Sequence, residues 1–136
     1  MNFSGMILLV DDEPHIRKYV SLILKQLGKP IIVEAANGEE AIAAYQRENP
    51  DLVLLDVNMP KMDGLEALKR LKAIDPNCVV IMLTSLANRE TVEQALELGA
   101  ANYVRKDTPK EEIMKALSET IATCFDLGGP AHEQQA

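Results

Sequence analysis

Cysteine is scarce in this chain of 136 residues. Cys78 and Cys124 lie far apart and form no C-x-x-C pair, which excludes a disulfide framework and a cysteine zinc site. Long apolar runs are missing as well; none reaches the ~18 residues that a membrane helix needs. The opening Met1-Asn2-Phe3-Ser4-Gly5-Met6 has neither the basic stretch nor the cleavage site of a signal peptide. Bases are the minority, 14 against 21 acids, for a formal charge of −7. Direct nucleic-acid binding and anionic-membrane binding both need a basic footprint, so neither partner is expected. A cytoplasmic location is expected. The length suits one domain, and 47% apolar with 26% charged residues is ordinary globular composition.

Three short apolar runs stand out: Met6-Ile7-Leu8-Leu9-Val10, Leu52-Val53-Leu54-Leu55 and Val79-Val80-Ile81-Met82-Leu83. None alternates, which suits parallel strands buried on both faces. Ile31-Ile32-Val33-Glu34 and Asn102-Tyr103-Val104 are weaker strand candidates, suited to sheet edges.

Between the runs the period becomes helical. Ile16, Val20, Ile23 and Leu27 form one stripe, with Pro14 at the first helical position and Gly28 as a stop. Residues 39–47 carry Ala41, Ile42 and Tyr45, and a third helix carries Leu65, Leu68 and Leu71. Asn88 caps a fourth helix with Val92, Ala95 and Leu96 inward and Gly99 at its end. Thr108-Pro109-Lys110-Glu111 reads as a capping box for a fifth, striped by Ile113, Leu117 and Ile121. Asp63-Gly64 reads as a turn, and both cysteines read as small buried hydrophobes.

Strand and helix thus alternate five times, the pattern of a doubly wound α/β sheet. Sites in such sheets lie beyond the carboxyl ends of the strands. There stand Asp11, Asp12 and Glu13 after the first run, Asp56 after the third strand, Thr84 and Ser85 after the fourth, and Arg105 and Lys106 after the fifth. Each has an ordinary reading: a helix cap for Asp11 to Glu13, a loop acid for Asp56, surface polarity for Thr84 and Lys106. Those readings leave unexplained why all of them fall at strand exits.

Asp11, Asp12 and Asp56 carry three negative charges, and Lys106 returns one positive. Two carboxylates about 4 Å apart repel by roughly 4 kcal/mol at an effective dielectric near 20, a penalty that a divalent cation removes. An all-oxygen donor set favours Mg²⁺ or Mn²⁺ over zinc. A carboxylate is also a competent nucleophile for phosphoryl transfer, with a cation, a lysine and a hydroxyl to steady the transferred group.

These residues resemble the receiver domains of bacterial two-component response regulators. The likeness is carried by Ile7-Leu8-Leu9-Val10-Asp11-Asp12-Glu13, by the segment from Asp51 to Gly64, by Val80-Ile81-Met82-Leu83-Thr84-Ser85, and by Gly99-Ala100-Ala101-Asn102-Tyr103-Val104-Arg105-Lys106. It implies a flavodoxin-like five-stranded parallel sheet in the order 2-1-3-4-5. It further implies that Asp56 accepts a phosphoryl group from phosphohistidine on a sensor histidine kinase or histidine phosphotransfer protein. Asp11, Asp12, Asp56 and the backbone carbonyl of Asn58 would hold Mg²⁺, with Asp12 a direct ligand. Thr84 would bond the phosphoryl group, Lys106 would pair with it, and Tyr103 would turn inward as Thr84 moves. The fourth helix, fifth strand and fifth helix would then bind a downstream protein, in a switch that promotes its own phosphorylation and dephosphorylation and is otherwise no enzyme.

Asp107 follows Lys106 where many members have proline, which leaves the peptide geometry there open. Leu86 offers no hydrogen bond to an attacking water, so slow hydrolysis of the phosphoryl group is expected. The receiver is expected over residues 6–123 and a disordered tail over 124–136, making this a stand-alone receiver. Asn58 and the Met59-Pro60 turn resemble the chemotaxis members of the family; a phosphorelay intermediate or kinase-regulating receiver fits equally well. Among other classes, a haloacid-dehalogenase-like phosphatase would need an acid at the place of Asn58. A nucleotide or flavin binder would need a glycine- or hydroxyl-rich loop in place of Asp11-Asp12-Glu13. A scaffold-only receiver would not need the intact acid, hydroxyl and lysine set.

Overall fold

A computed structural model describes residues 3–125. The five apolar runs form strands β1 (Met6–Val10), β2 (Ile31–Ala35), β3 (Leu52–Leu55), β4 (Val80–Thr84) and β5 (Asn102–Arg105). All pair in parallel, in the order β2-β1-β3-β4-β5. The two weaker runs therefore take the edges. The interleaved helices are α1 (Pro14–Leu24), α2 (Gly38–Glu48), α3 (Gly64–Ile74), α4 (Arg89–Glu97) and α5 (Lys110–Phe125).

Successive strand side chains alternate between two cores. Ile7, Leu9, Leu52, Leu54, Ile81 and Leu83 pack with Val20 and Ile23 of α1 and with Ile113 and Leu117 of α5. Leu8, Val10, Val53, Leu55 and Met82 pack with Ala41 of α2, Leu68 of α3 and Ala95 of α4. Helices cover both faces, so continuous apolar runs, not alternating ones, encode the central strands.

The helix boundaries follow local chemistry. Pro14 occupies the first position of α1. α1 stops at Leu24, and a 3-10 turn over Lys25–Leu27 carries the chain to Gly28. Asn37 caps α2 through the Glu40 N–H, and Asn88 caps α4 through the Thr91 N–H at 2.8 Å. Asp63 is more than a turn residue: its carboxylate accepts the Glu66 N–H at 2.9 Å and caps α3.

Other expectations are corrected. The first helical bond of α5 runs from the Ile113 N–H to the Pro109 carbonyl, so the helix starts later than a Thr108 capping box requires. The Thr108 N–H closes a turn on Arg105 instead. Leu96 is 49% exposed, because Thr91 and Ala95 define the inward face of α4 and Leu96 lies one residue off it. Cys78 is buried, but Cys124 is exposed, since it lies off the buried face of α5 marked by Leu117, Thr120 and Ile121. α5 also takes in Cys124 and Phe125, two residues expected in the tail. The Phe125 ring packs against Phe3, centroids 5.8 Å apart, which favours continuing the helix. The rest of that tail lies outside the described residues. Among the described residues no helix is long and apolar enough to cross a membrane.

Candidate functional site

The sheet ladder runs one residue past three strands, and this is what gathers the site. The Asp11 N–H bonds to Ala35 O, the Asp56 N–H to Val10 O, and the Lys106 N–H to Thr84 O, at 3.0–3.1 Å. β1 and β3 are neighbours, with Val10 opposite Leu55. Asp11 and Asp56 therefore leave adjacent strands side by side at the carboxyl edge. Carboxylate oxygens of Asp11, Asp12 and Asp56 all lie within 4.8 Å of one another. Asp11 and Asp56 are buried, and Asp12 is exposed.

Lys106 reaches back over the sheet from the end of β5. Its Nζ lies 2.5 Å from Asp11 Oδ2 and 3.1 Å from Asp56 Oδ2, and the side chain is only 13% exposed. Burial pulls the ammonium down, but the hydrogen bond to Asp11 and the charges of Asp56 and Asp11 outweigh it. The net effect holds Lys106 above its ordinary value. One lysine cannot balance three acids. Asp56 Oδ1 is buried and has no hydrogen-bond partner. A buried oxygen left unpaired is costly, so this acid is not simply part of a completed ion pair. Three carboxylates, oxygen donors only, with one orphaned lone-pair site fit a hard divalent cation.

None of the first-loop acids caps α1. Glu13 stands at the cap without a side-chain bond, while Asp11 Oδ1 accepts the Glu13 N–H at 2.9 Å. Asn58 lies two residues beyond Asp56, exposed, in the loop to α3. Thr84 is fully buried, and its hydroxyl accepts the Leu86 N–H at 3.2 Å; its hydrogen bond goes to its own loop and not to the acids. Tyr103 is half-buried, and its hydroxyl donates to the Leu86 carbonyl. Burial, then the charge of Asp56, push this phenol up. Thr84 and Tyr103 thus meet at Leu86, which donates its N–H to the one and accepts the other on its carbonyl.

No peptide bond among the described residues is cis, so the link from Lys106 to Asp107 is trans. Asp107 instead pairs with Arg105 at 2.7 Å in an exposed turn. Sequence reasoning missed Arg17. It reads as a helix-surface base, yet its Nη1 donates to the Asp11 carbonyl at 2.6 Å and its Nε to Glu34 at 2.7 Å. No local pattern could have found it, because Glu34 sits on another strand.

Residues 7–118 match the family model described as the response regulator receiver domain. The chain is 35% identical over 115 residues to chemotaxis protein CheY of Bacillus subtilis, covering 85% of this chain and 96% of that one. It is 39% identical over 115 residues to sporulation initiation phosphotransferase F of the same organism, covering 85% and 92%. Among solved structures, the CheX–CheY–BeF3–Mg²⁺ complex from Borrelia burgdorferi aligns at a TM-score of 0.79 and 33% identity over 88% of each chain. A CheY-like receiver domain protein from Methanospirillum hungatei aligns at 0.83 and 28% identity, over 93% of this chain and all of that one.

Proposed function

This chain belongs to the response regulator receiver domain family, and from that premise we propose how its own residues work. Asp56 accepts a phosphoryl group from a phosphohistidine of a sensor kinase or phosphotransfer protein. A carboxylate oxygen of Asp56 forms the new P–O bond as the P–N bond of the donor breaks, and the donor imidazole leaves with the bonding pair. The observation that carries this reading is the buried Asp56 with one oxygen unpartnered, beside two further acids and Lys106.

Asp11, Asp12, Asp56 and the Asn58 carbonyl are the residues to hold Mg²⁺, and Mn²⁺ suits the same oxygens. The bound ion supplies positive charge against the oxygens of the transferred group. Lys106 stays charged because its two acids hold it so, and it pairs with the added phosphoryl charge. Phosphorylation takes the position of Asp56 from about −1 to about −2. That draws the Thr84 hydroxyl away from the Leu86 N–H and toward the new oxygens. Tyr103 is tied to the same residue, so the Leu86 loop and α4 rearrange with it. The α4, β5 and α5 face then changes its affinity for a downstream protein. The similarity to sporulation initiation phosphotransferase F and to the CheY of a CheX complex supports partners of these two kinds.

Incubation with acetyl phosphate and Mg²⁺, followed by intact-mass measurement, tests the assignment. One added phosphoryl group is expected, not formed when EDTA replaces Mg²⁺ and absent in Asp56→Asn. Added mass persisting in that variant would move the acceptor elsewhere. The phosphoryl group is also expected to be long-lived, because the Leu86 side chain is apolar and packed against the core. Leu86→Glu places a water-orienting carboxylate there and is expected to shorten the lifetime severalfold. The decay of phosphorylated mass after donor removal measures it, and an unchanged decay would remove Leu86 from the account.

A further inference from the structure

We propose that Arg17 is a positioning residue for the divalent-cation site, holding the Asp11–Asp12 peptide so that both carboxylates face one ion. This rests on the reading of the acidic cluster as a metal site. Past the end of β1, the Asp11 N–H still belongs to the sheet, through Ala35 O. Its carbonyl has left the ladder and accepts Arg17 Nη1 at 2.6 Å. That carbonyl belongs to the peptide joining Asp11 to Asp12, so its orientation sets where the Asp12 side chain starts.

Asp12 needs that support more than its neighbours do. Asp11 is fixed by the Glu13 N–H and Lys106, and Asp56 by Lys106. Among the described hydrogen bonds and ion pairs, none involves the Asp12 carboxylate, and Asp12 is exposed. With no side-chain partner among these, the backbone that carries it is what limits where its carboxylate can reach. Arg17 is itself well held. Its side chain is only 16% exposed, and its Nε donates to Glu34 Oε1 at 2.7 Å on the edge strand β2. The planar guanidinium makes both bonds at once, which a single ammonium nitrogen cannot do in fixed geometry. Glu34 also neutralises the guanidinium, so Arg17 braces the turn without competing with a cation for the acids.

The test measures Mn²⁺ affinity by the electron paramagnetic resonance signal of the free ion, in the full chain. Arg17→Met is compared with wild type and with Arg70→Met, which removes an exposed Arg–Glu pair on α3 that bonds to none of the three acids. Loss of an outer-shell partner typically weakens metal binding about tenfold or more. Arg17→Met is expected to bind Mn²⁺ about tenfold more weakly, with Arg70→Met within about twofold of wild type. The Mg²⁺ concentration that half-saturates phosphorylation by acetyl phosphate is expected to rise in parallel, while the rate at saturating Mg²⁺ changes little. Arg17→Lys substitutes if Arg17→Met fails to fold, judged by the same comparison. Wild-type affinity in the Arg17 variant, or equal weakening in Arg70→Met, overturns the proposal. A wild-type protein that binds no Mn²⁺ overturns the metal reading itself, and the proposal with it.

Discussion

Gly64→Ala is expected to lower stability by about 3 kcal/mol, with phosphorylation slowed at least about tenfold. Gly64 opens α3, directly after the Asp63 cap, and its N–H bonds back to Val57 O at 2.8 Å. A β-carbon there would stand 2.0 Å from the Asp56 carbonyl oxygen and 2.8 Å from both the Asp56 carbonyl carbon and the Val57 α-carbon. All three are backbone atoms, so no side chain can swing aside. Either α3 lifts from the loop or the Asp56 backbone shifts. The first loses packing of Ala67, Leu68 and Leu71, which are fully buried. The second misplaces the residue proposed to react, and misplacement on the ångström scale costs about a hundredfold in rate. Urea unfolding and the acetyl-phosphate reaction, measured on the same preparation, separate the two routes. A wild-type urea midpoint with a wild-type rate would show that the loop absorbs the methyl group without cost.

Lys106→Met is expected to destabilise the metal-free protein by about 3 kcal/mol, with much of that recovered on adding Mg²⁺. Removing one partner of a buried pair typically costs about 3–5 kcal/mol, because the remaining charge is left uncompensated. Here two buried acids lose their counter-charge together, while the slight exposure of Lys106 argues for the low end. A divalent cation replaces the missing charge on the same carboxylates and stabilises by linkage. The pH dependence has a definite sign. The folded state holds Lys106 above its ordinary value, so its contribution is complete below about pH 10.4 and fades as pH rises through the folded value. The gap between wild type and Lys106→Met should accordingly stay constant from pH 7 to about pH 9.5 and narrow only in strong alkali. Equal midpoints in EDTA at pH 7 would mean that the acids are compensated by some other group.

Much of this molecule follows from chain-local physics. Unbroken apolar runs between helical periods call for a parallel sheet covered on both faces, and the edge strands are the less apolar ones. The strand-end rule then gathers Asp11, Asp12, Asp56 and Lys106 with no further information, because one extra residue of ladder carries Asp11, Asp56 and Lys106 to the same rim and Asp12 follows Asp11. Family likeness supplied the strand order. What periodicity left blurred were phases and ends. Leu96 and Cys124 differ from their neighbours by about a hundred degrees of helix rotation, and a short stripe does not resolve that. Asp63 looked like a turn because a cap and a turn use the same residue types.

Only the tertiary structure decided what each side chain is bonded to. That Thr84 bonds within its own loop and not to the acids, that Tyr103 reaches Leu86 from β5, and that one oxygen of Asp56 has no partner all depend on how loops and strands are packed together. Arg17 shows the reason most plainly. Its partners are a carbonyl six residues back and a carboxylate on another strand, brought together by the packing of α1 beside β1 and β2. Composition and spacing encode which face of an element is buried, since burial repeats with the element's own period. Hydrogen-bond partners carry no such period: they depend on where separate elements come to rest, which is a property of the packed whole.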